Sequence, residues 1–152
     1  MNKKLIIALI ATAIAGTAGA QMKPEDAIKF RQSGYAFMAW NMQRIKANVE
    51  GSKFDKDEVV KAANAIQAIA NSGMGSLYLP GTDKGKGWEN SRAKPGIWTE
   101  KEKMGKVAMA FNKEANEMAK VAATGDTAAV KAQLGKLGGT CKGCHDDFKI
   151  KD

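Results

Sequence analysis

The sequence predicts an all-α protein that folds as an antiparallel up-down-up-down four-helix bundle. Apolar residues recur at alternating spacings of three and four in four separate segments, which is the period of a helix seam. The sequence shows neither strand-like alternation nor an internal repeat. Short links join the first segment to the second and the third to the fourth, and short links indicate antiparallel neighbours.

The first helix is expected to begin near Pro24, because proline suits a first helical turn. Arg31 and Tyr35 stand in its seam where apolar residues are expected. A buried arginine needs a partner, so Arg31 either binds an anionic group or extends its head to water. The full seam is Ile28, Arg31, Tyr35, Met38, Met42, Ile45 and Val49.

A second apolar row on this helix consists of Phe30, Phe37 and Trp40. Two interpretations fit this row. The seam is simply wide, or the row contacts another copy of the protein, since contiguous apolar patches often mark interfaces. We favour the second interpretation.

The other three helices carry capping signals at their N-terminal ends. The expected caps are Asp55 with Glu58, Thr99 with Glu102, and Asp126, with Gly125 ending the third helix. Their seams are Val59, Ala62, Ile66, Ile69, Gly73 and Leu77; then Met104, Val107, Phe111, Met118 and Val121; and then Val130, Leu134, Leu137, Cys141, Cys144 and Phe148.

The connection between the second and third helices, residues 79–98, is rich in Gly, Lys and Pro. Its turn signals are Pro80-Gly81 and Lys94-Pro95-Gly96. Loops of this length are uncommon unless they are functional. We therefore expect this loop to contribute to a site.

The main functional signal is Cys141-Lys142-Gly143-Cys144-His145, which contains both cysteines and the single histidine of the chain. C-x-x-C-H is the attachment signal for c-type haem. Residues three and four apart share a helix face, so each cysteine can bond one vinyl group of a porphyrin while His145 points at the iron. The motif predicts one covalent haem c per chain, held between the helices.

Three other interpretations of this motif are weaker. A disulfide between Cys141 and Cys144 leaves the adjacent histidine unexplained. A structural zinc site needs four ligands, and the motif offers three. A thioredoxin-like redox pair belongs beside a strand-helix-strand pattern, which the chain lacks.

Residues 1–20 predict a cleaved secretory signal peptide. Lys3 and Lys4 precede an apolar run over residues 5–15, and small residues lead to a cleavage site before Gln21. A membrane anchor is disfavoured because a spanning helix needs about 20 apolar residues. We therefore expect export to a bacterial periplasm, where haem c is attached, and no membrane span.

The predicted mature chain, residues 21–152, suits a single domain. Loss of Lys3 and Lys4 lowers the formal net charge from +8 to +6 (8 − 2). An exported haem protein rarely meets nucleic acid, so we expect none as a partner. The charge indicates either attraction to an acidic protein or a solvated lysine-rich surface.

These features together resemble the cytochromes c-prime, which are class II c-type cytochromes. The C-terminal position of C-x-x-C-H carries most of the resemblance, because class I cytochromes c have the motif near the N-terminus. The opening segment KPEDAIKFRQ, residues 23–32, resembles the first helix of the family. The segment KPGIW, residues 94–98, resembles the stretch that leads into its third helix.

The resemblance implies a homodimer with contact through the first two helices. It also implies a five-coordinate, largely high-spin haem that binds nitric oxide and carbon monoxide. Cys141, Cys144 and His145 match the attachment residues and the axial ligand. Arg31 and Gln32 match residues that contact haem propionates, and Tyr35 matches the distal residue over the iron. On that basis we expect these last three residues, together with Lys149, to belong to the cofactor site.

One departure from the family lies at Lys149, where many relatives have an arginine beside the axial histidine. Lysine keeps the charge but loses the planar fork. Relatives with a six-coordinate low-spin haem place a methionine near the segment 31–35. None stands there in this chain, and Met38 is one turn too far along.

The leading functional hypothesis is a binding protein that captures nitric oxide. An electron-transfer role is also compatible, because lysines could dock an acidic redox partner. A peroxidase is disfavoured, since peroxide cleavage usually needs a distal histidine and no second histidine exists. The lysines in question are Lys131, Lys136, Lys142, Lys149 and Lys151.

Overall fold

The computed structural model describes residues 22–151. The predicted signal peptide, residues 1–20, lies outside the described residues. The helices are α1 (Pro24–Glu50), α2 (Lys56–Ala70), α3 (Gly96–Thr99), α4 (Lys101–Thr124) and α5 (Thr127–Phe148), with a 3₁₀ turn at Met74–Leu77. The four long helices are α1, α2, α4 and α5. Helix α1 packs against α2 and α5, and α4 packs against the same two. The predicted four-helix bundle is confirmed.

Two of the three predicted N-caps are confirmed. The Asp55 carboxylate accepts from the Glu58 amide at 3.1 Å, and the Asp126 carboxylate accepts from the Ala128 amide at 2.9 Å. Gly125 ends α4 with a left-handed φ of 78°, a conformation that glycine adopts without strain.

The predicted Thr99–Glu102 capping box is wrong. Thr99 is the last residue of the short helix α3, and the residue that precedes α4 is Glu100, which makes no side-chain cap bond. The reason lies in the turn after Pro95. The Thr99 hydroxyl donates to the Pro95 carbonyl at 3.4 Å, so it is used to close α3 instead of beginning α4.

The second seam was predicted to run through Gly73 and Leu77, but α2 ends at Ala70. Gly73 has a left-handed φ of 81° and precedes the 3₁₀ turn. The Asn71 side chain donates to the Gln67 carbonyl at 2.9 Å, which satisfies an acceptor at the helix end.

The apolar core occupies the half of the bundle nearest the two short interhelix links. It consists of Ile45, Val59, Ala62, Ala63, Ile66, Ala115, Met118, Ala122, Val130 and Leu137, all fully or almost fully buried. The interaxial distance between helices depends on the side chains at the contact, so the alanines let α2 and α4 pack closely here. The other half of the bundle is not filled in this way, and it contains the cavity described below.

The aromatic row on α1 does not widen this core. Phe30, Phe37 and Trp40 are each about half exposed, at 51%, 49% and 51%. Phe37 and Trp40 stack at a ring-centroid distance of 5.4 Å, and the Arg44 guanidinium lies 4.7 Å from the Trp40 ring centroid. The row is therefore an outward apolar face of α1. In the part of the chain that the structure describes, no helix is long and apolar enough to cross a membrane.

Candidate haem-binding site

A large cavity of about 950 Å³ lies in the second half of the bundle. It is bounded by the middle of α1 over residues 31–42, the N-terminal half of α4, the C-terminal half of α5 and the loop over residues 88–97. Its volume falls in the range of about 300 to 1,000 Å³ that is typical of ligand and cofactor sites. Most lining side chains are apolar, including Met38, Met42, Ile66, Val107, Phe111 and Phe148, which suits a flat apolar macrocycle. The loop predicted to be functional does line this cavity.

The C-x-x-C-H motif lies on the last turns of α5 and faces the cavity. Cys141, Cys144 and His145 all belong to the lining. Both cysteines are half-buried free thiols, and burial raises the pKa of each. Among residues 22–151 no cluster of three His, Cys, Asp or Glu side chains could hold a metal ion. The two thiols and the imidazole of the motif therefore lie together at one wall of the cavity.

His145 is disposed to act as a neutral ligand. Burial lowers the pKa of its imidazole, and the positive charges of Lys149 and Arg92 lower it further. A neutral imidazole has a lone pair available for a metal. The arrangement therefore supports iron ligation by His145 at neutral pH.

Two tyrosine hydroxyls meet at the cavity lining. The Tyr35 and Tyr78 oxygens are 2.9 Å apart, and both residues line the cavity. Burial raises the pKa of both phenols, so both are neutral hydroxyls at physiological pH. Tyr35 was expected from the sequence. Tyr78 was not, because it precedes the loop and lies 43 positions further along the chain.

Arg31 is buried, with 4% of its surface exposed, so the interpretation that its head extends to water is wrong. Its terminal nitrogens donate to the Thr82 hydroxyl at 2.6 Å, the Thr82 carbonyl at 2.5 Å, the Ser91 hydroxyl at 2.8 Å and the Leu77 carbonyl at 3.2 Å. Burial lowers the pKa of this guanidinium. Arg31 thus fastens the loop to α1, and a haem propionate would have to share or replace these acceptors.

Gln32 fastens the same loop one residue further along α1. Its side-chain amide donates to the Glu89 carbonyl at 2.9 Å and its oxygen accepts from the Trp88 amide at 2.8 Å. Gly87 approaches α1 so closely that a Cβ there would lie 2.6 Å from the Lys29 amide nitrogen. The position therefore requires glycine.

Two cations lie at the end of the cavity that contains His145. Lys149 lines the cavity beside His145, as does Arg92 from the loop. The Arg92 guanidinium donates to the Ile150 carbonyl at 2.8 Å, and residue 93 pairs with residue 149 in an isolated bridge. A guanidinium is therefore present on this side although position 149 is lysine. No local pattern in the sequence marks Arg92 as a site residue.

All seven residues singled out in the sequence line the same cavity: Arg31, Gln32, Tyr35, Cys141, Cys144, His145 and Lys149. Helix α1 supplies three of them, the end of α5 supplies three, and Lys149 directly follows α5. Three methionines, Met38, Met42 and Met104, also belong to the lining. These are the methionines whose sulfur atoms could reach an iron held in the cavity.

A helical bundle whose last helix presents C-x-x-C-H to an apolar cavity defines the class of the protein, a c-type cytochrome with the motif near its C-terminal end. The model of the Cytochrome C' family matches residues 26–149. The chain belongs to this family, whose members bind haem c.

Named relatives agree with this assignment. The cytochrome c' of Rhodocyclus tenuis is 62% identical over 130 residues, covering 86% of this chain and 98% of that protein. A cytochrome c' structure with an unusual ligand-controlled dimer dissociation superposes with a TM-score of 0.83 at 50% identity, covering 87% of this chain and 100% of that chain. A variant of the Alcaligenes xylosoxidans cytochrome c prime with bound nitric oxide superposes with a TM-score of 0.76 at 29% identity, covering 86% and 98%.

Proposed function

We propose that this protein is a periplasmic cytochrome that binds small gases at a five-coordinate, mostly high-spin haem. The observation that carries the proposal is the single histidine of the sequence, which lies in the lining of a mainly apolar cavity. With His145 on one side of the iron, no second histidine exists to occupy the other side. The signal peptide predicted over residues 1–20 supports the periplasmic location.

The residues of the cavity have separate roles in this proposal. Cys141 and Cys144 would bond the porphyrin, and His145 would ligate the iron. Arg31 and Gln32, which both hold the loop against α1, would contact the propionates. Lys149 keeps positive charge next to His145. The haem itself would supply the iron at which a gas molecule binds.

Nitric oxide and carbon monoxide are the ligands we propose. A ferrous variant of the Alcaligenes xylosoxidans cytochrome c prime has a solved structure with bound nitric oxide. In this chain Tyr35 lines the cavity and would restrict the entry of a gas molecule to the iron. Replacing Tyr35 with Ala is expected to accelerate carbon monoxide association in stopped-flow measurements, and an unchanged rate would show that this side chain does not gate the cavity.

A second candidate is a six-coordinate, low-spin electron carrier with a methionine as sixth ligand. It is favoured by one observation, the presence of Met38, Met42 and Met104 in the cavity lining. Titration of the reduced protein with carbon monoxide separates the two candidates. Saturation at one molecule per haem supports the gas binder. A spectrum that does not respond to carbon monoxide supports methionine ligation.

The outward face of α1 supports a homodimer. Phe30, Phe37 and Trp40 are half exposed. The cytochrome c' structure at 50% identity is of a protein with a ligand-controlled dimer dissociation. Replacing Trp40 with Lys is expected to shift the protein to monomer in analytical ultracentrifugation. Replacing Met109 with Lys, on the exposed surface of α4, is the matched control and should leave the dimer intact. Equal behaviour of the two variants would contradict this interface.

We also propose that the protein passes electrons to an acidic partner protein. We propose no enzymatic activity, no nucleic-acid binding and no membrane insertion. Lys131 and Lys136 on α5 are exposed, whereas Lys142 and Lys151 lie beside Asp146, which offsets part of their charge. Electron-transfer rates with an acidic protein should fall with added salt. Rates independent of salt would contradict docking through these lysines.

A further inference from the structure

Tyr35 and Tyr78 are the only two tyrosines of the chain, and their hydroxyls form a hydrogen bond of 2.9 Å at the cavity lining. Tyr35 belongs to α1, and Tyr78 follows the 3₁₀ turn at the start of the long connection. The bond therefore joins two segments that are distant in sequence. The proposed function gives a role to Tyr35 and none to Tyr78.

Tyr78 is held on several sides. Its carbonyl accepts from the Trp98 indole at 2.9 Å, and its ring lies edge-on to that of Trp98 at 6.2 Å. The Arg31 guanidinium lies 4.8 Å from the Tyr78 ring centroid, a cation–π distance, and also donates to the carbonyl of the preceding residue, Leu77. These contacts fix the Tyr78 hydroxyl in space.

Tyr35 is held less firmly. The residue is 39% exposed, so one side of the ring faces solvent instead of packed side chains. Its hydroxyl is tied to that of Tyr78. The position of the Tyr35 ring in the cavity therefore depends on a residue that is itself well anchored.

We propose that Tyr78 is a positioning residue that latches Tyr35 in place and so limits how fast a gas molecule reaches the sixth position of the haem iron. The inference rests on the proposed function and deepens it. A net hydrogen bond is worth about 1 kcal/mol, which corresponds to a factor of about 5 in the population of the unlatched ring. Release of the latch should therefore accelerate ligand entry by about fivefold.

The test is a double-substitution cycle of Tyr35→Phe and Tyr78→Phe in the haem-loaded protein. Phenylalanine keeps both rings and removes only the hydroxyls. Each single variant is expected to raise the carbon monoxide association rate by about fivefold, and the double variant by about the same factor, because either substitution alone breaks the one shared bond. Ser72→Ala, which removes an exposed hydroxyl that bonds only the Ile69 carbonyl and does not line the cavity, is the control and should leave the rate unchanged.

The unfolding equilibrium of the same four proteins supplies a second readout. Each single variant should raise the unfolding equilibrium constant by about fivefold in denaturant titrations, with no further increase in the double variant. If each hydroxyl acted separately, the changes of the two single variants would add in the double variant instead.

The outcomes separate this inference from the proposed function. If the wild-type protein binds carbon monoxide but Tyr78→Phe has no effect, or if the double variant reaches about 25-fold, the latch is overturned and the proposed function stands. If the wild-type protein does not bind carbon monoxide, the proposed function fails and the claim about ligand entry fails with it. The unfolding cycle then shows whether the two hydroxyls are coupled at all.

Discussion

Replacing Arg31 with Met tests how the long loop is held against the bundle. The substitution keeps an unbranched side chain of similar length and removes the guanidinium. In the structure the guanidinium donates four hydrogen bonds to Leu77, Thr82 and Ser91. Hydrogen bonds to charged groups are worth about 1.5–3 kcal/mol each, so a simple sum would suggest a loss of about 6–12 kcal/mol.

The acceptors themselves indicate a smaller loss. The Thr82 hydroxyl also donates to the Leu79 carbonyl at 2.7 Å, and the Thr82 carbonyl also accepts from the Ser91 hydroxyl at 2.7 Å. Of these acceptors, the Leu77 carbonyl alone has no other side-chain hydrogen bond among the described residues. An unsatisfied buried acceptor costs about 1–3 kcal/mol, and loss of the buried charge removes a desolvation cost. We therefore expect the free energy of unfolding to fall by about 1–3 kcal/mol.

Denaturant titration measures this loss, and amide hydrogen exchange locates it. The amides of Thr82 and Ser91, which donate within the loop, should lose protection, whereas amides of the core half should change only with global stability. Lys120→Met is the control, because Lys120 pairs with Glu117 on an exposed surface. Its effect should lie within about 0.5 kcal/mol.

A fall of more than about 4 kcal/mol would refute this reasoning. Removing one partner of a buried ion pair costs about 3–5 kcal/mol, so a loss of that size would show that a propionate, and not the loop, is the main partner of Arg31. Unchanged protection of the loop amides would contradict the account in a different way.

Three further predictions follow from the geometry. Gly87→Ala places a methyl group 2.6 Å from the Lys29 amide nitrogen and should lower the free energy of unfolding by about 1–3 kcal/mol; an unchanged denaturation midpoint would contradict the close approach. The raised pKa values of Tyr35 and Tyr78 mean that the folded state holds both phenol protons more tightly, so stability should be insensitive to these groups below about pH 10 and fall above it; phenolate absorbance that appears at pH 10 in the folded protein would exclude this. Leu137→Ala, in the apolar core, should cost about 2–5 kcal/mol without changing the carbon monoxide association rate, and a changed rate would show that core and cavity are coupled.

The four long helices could be predicted from the sequence because their seams bury one face each over many turns. Asp55 and Asp126 were recognisable as caps because the bonds they make are local, within two or three residues. The cap predicted at Thr99 was wrong because another local hydrogen bond competes with capping there. Its neighbourhood contains a second short helix, and the competing bond to Pro95 cannot be distinguished from a capping box in sequence.

Residues of the site were predictable where a motif or a seam anomaly marked them. Cys141, Cys144 and His145 form a spacing pattern, and Arg31 is a charge in an apolar seam. Tyr78 and Arg92 carry no such mark. They reach the cavity because the long connection folds back on α1 and on the chain end after α5, and those contacts join residues that are roughly 45 to 60 positions apart.

The spin state of the ferric haem tests the central claim most directly, namely that the iron position opposite His145 has no protein ligand. Electron paramagnetic resonance of the oxidised protein at neutral pH distinguishes the two cases. The account predicts a predominantly high-spin signal that is unchanged when Met38, Met42 and Met104 are replaced one at a time by Leu. A low-spin signal that becomes high-spin in one of these variants would contradict it.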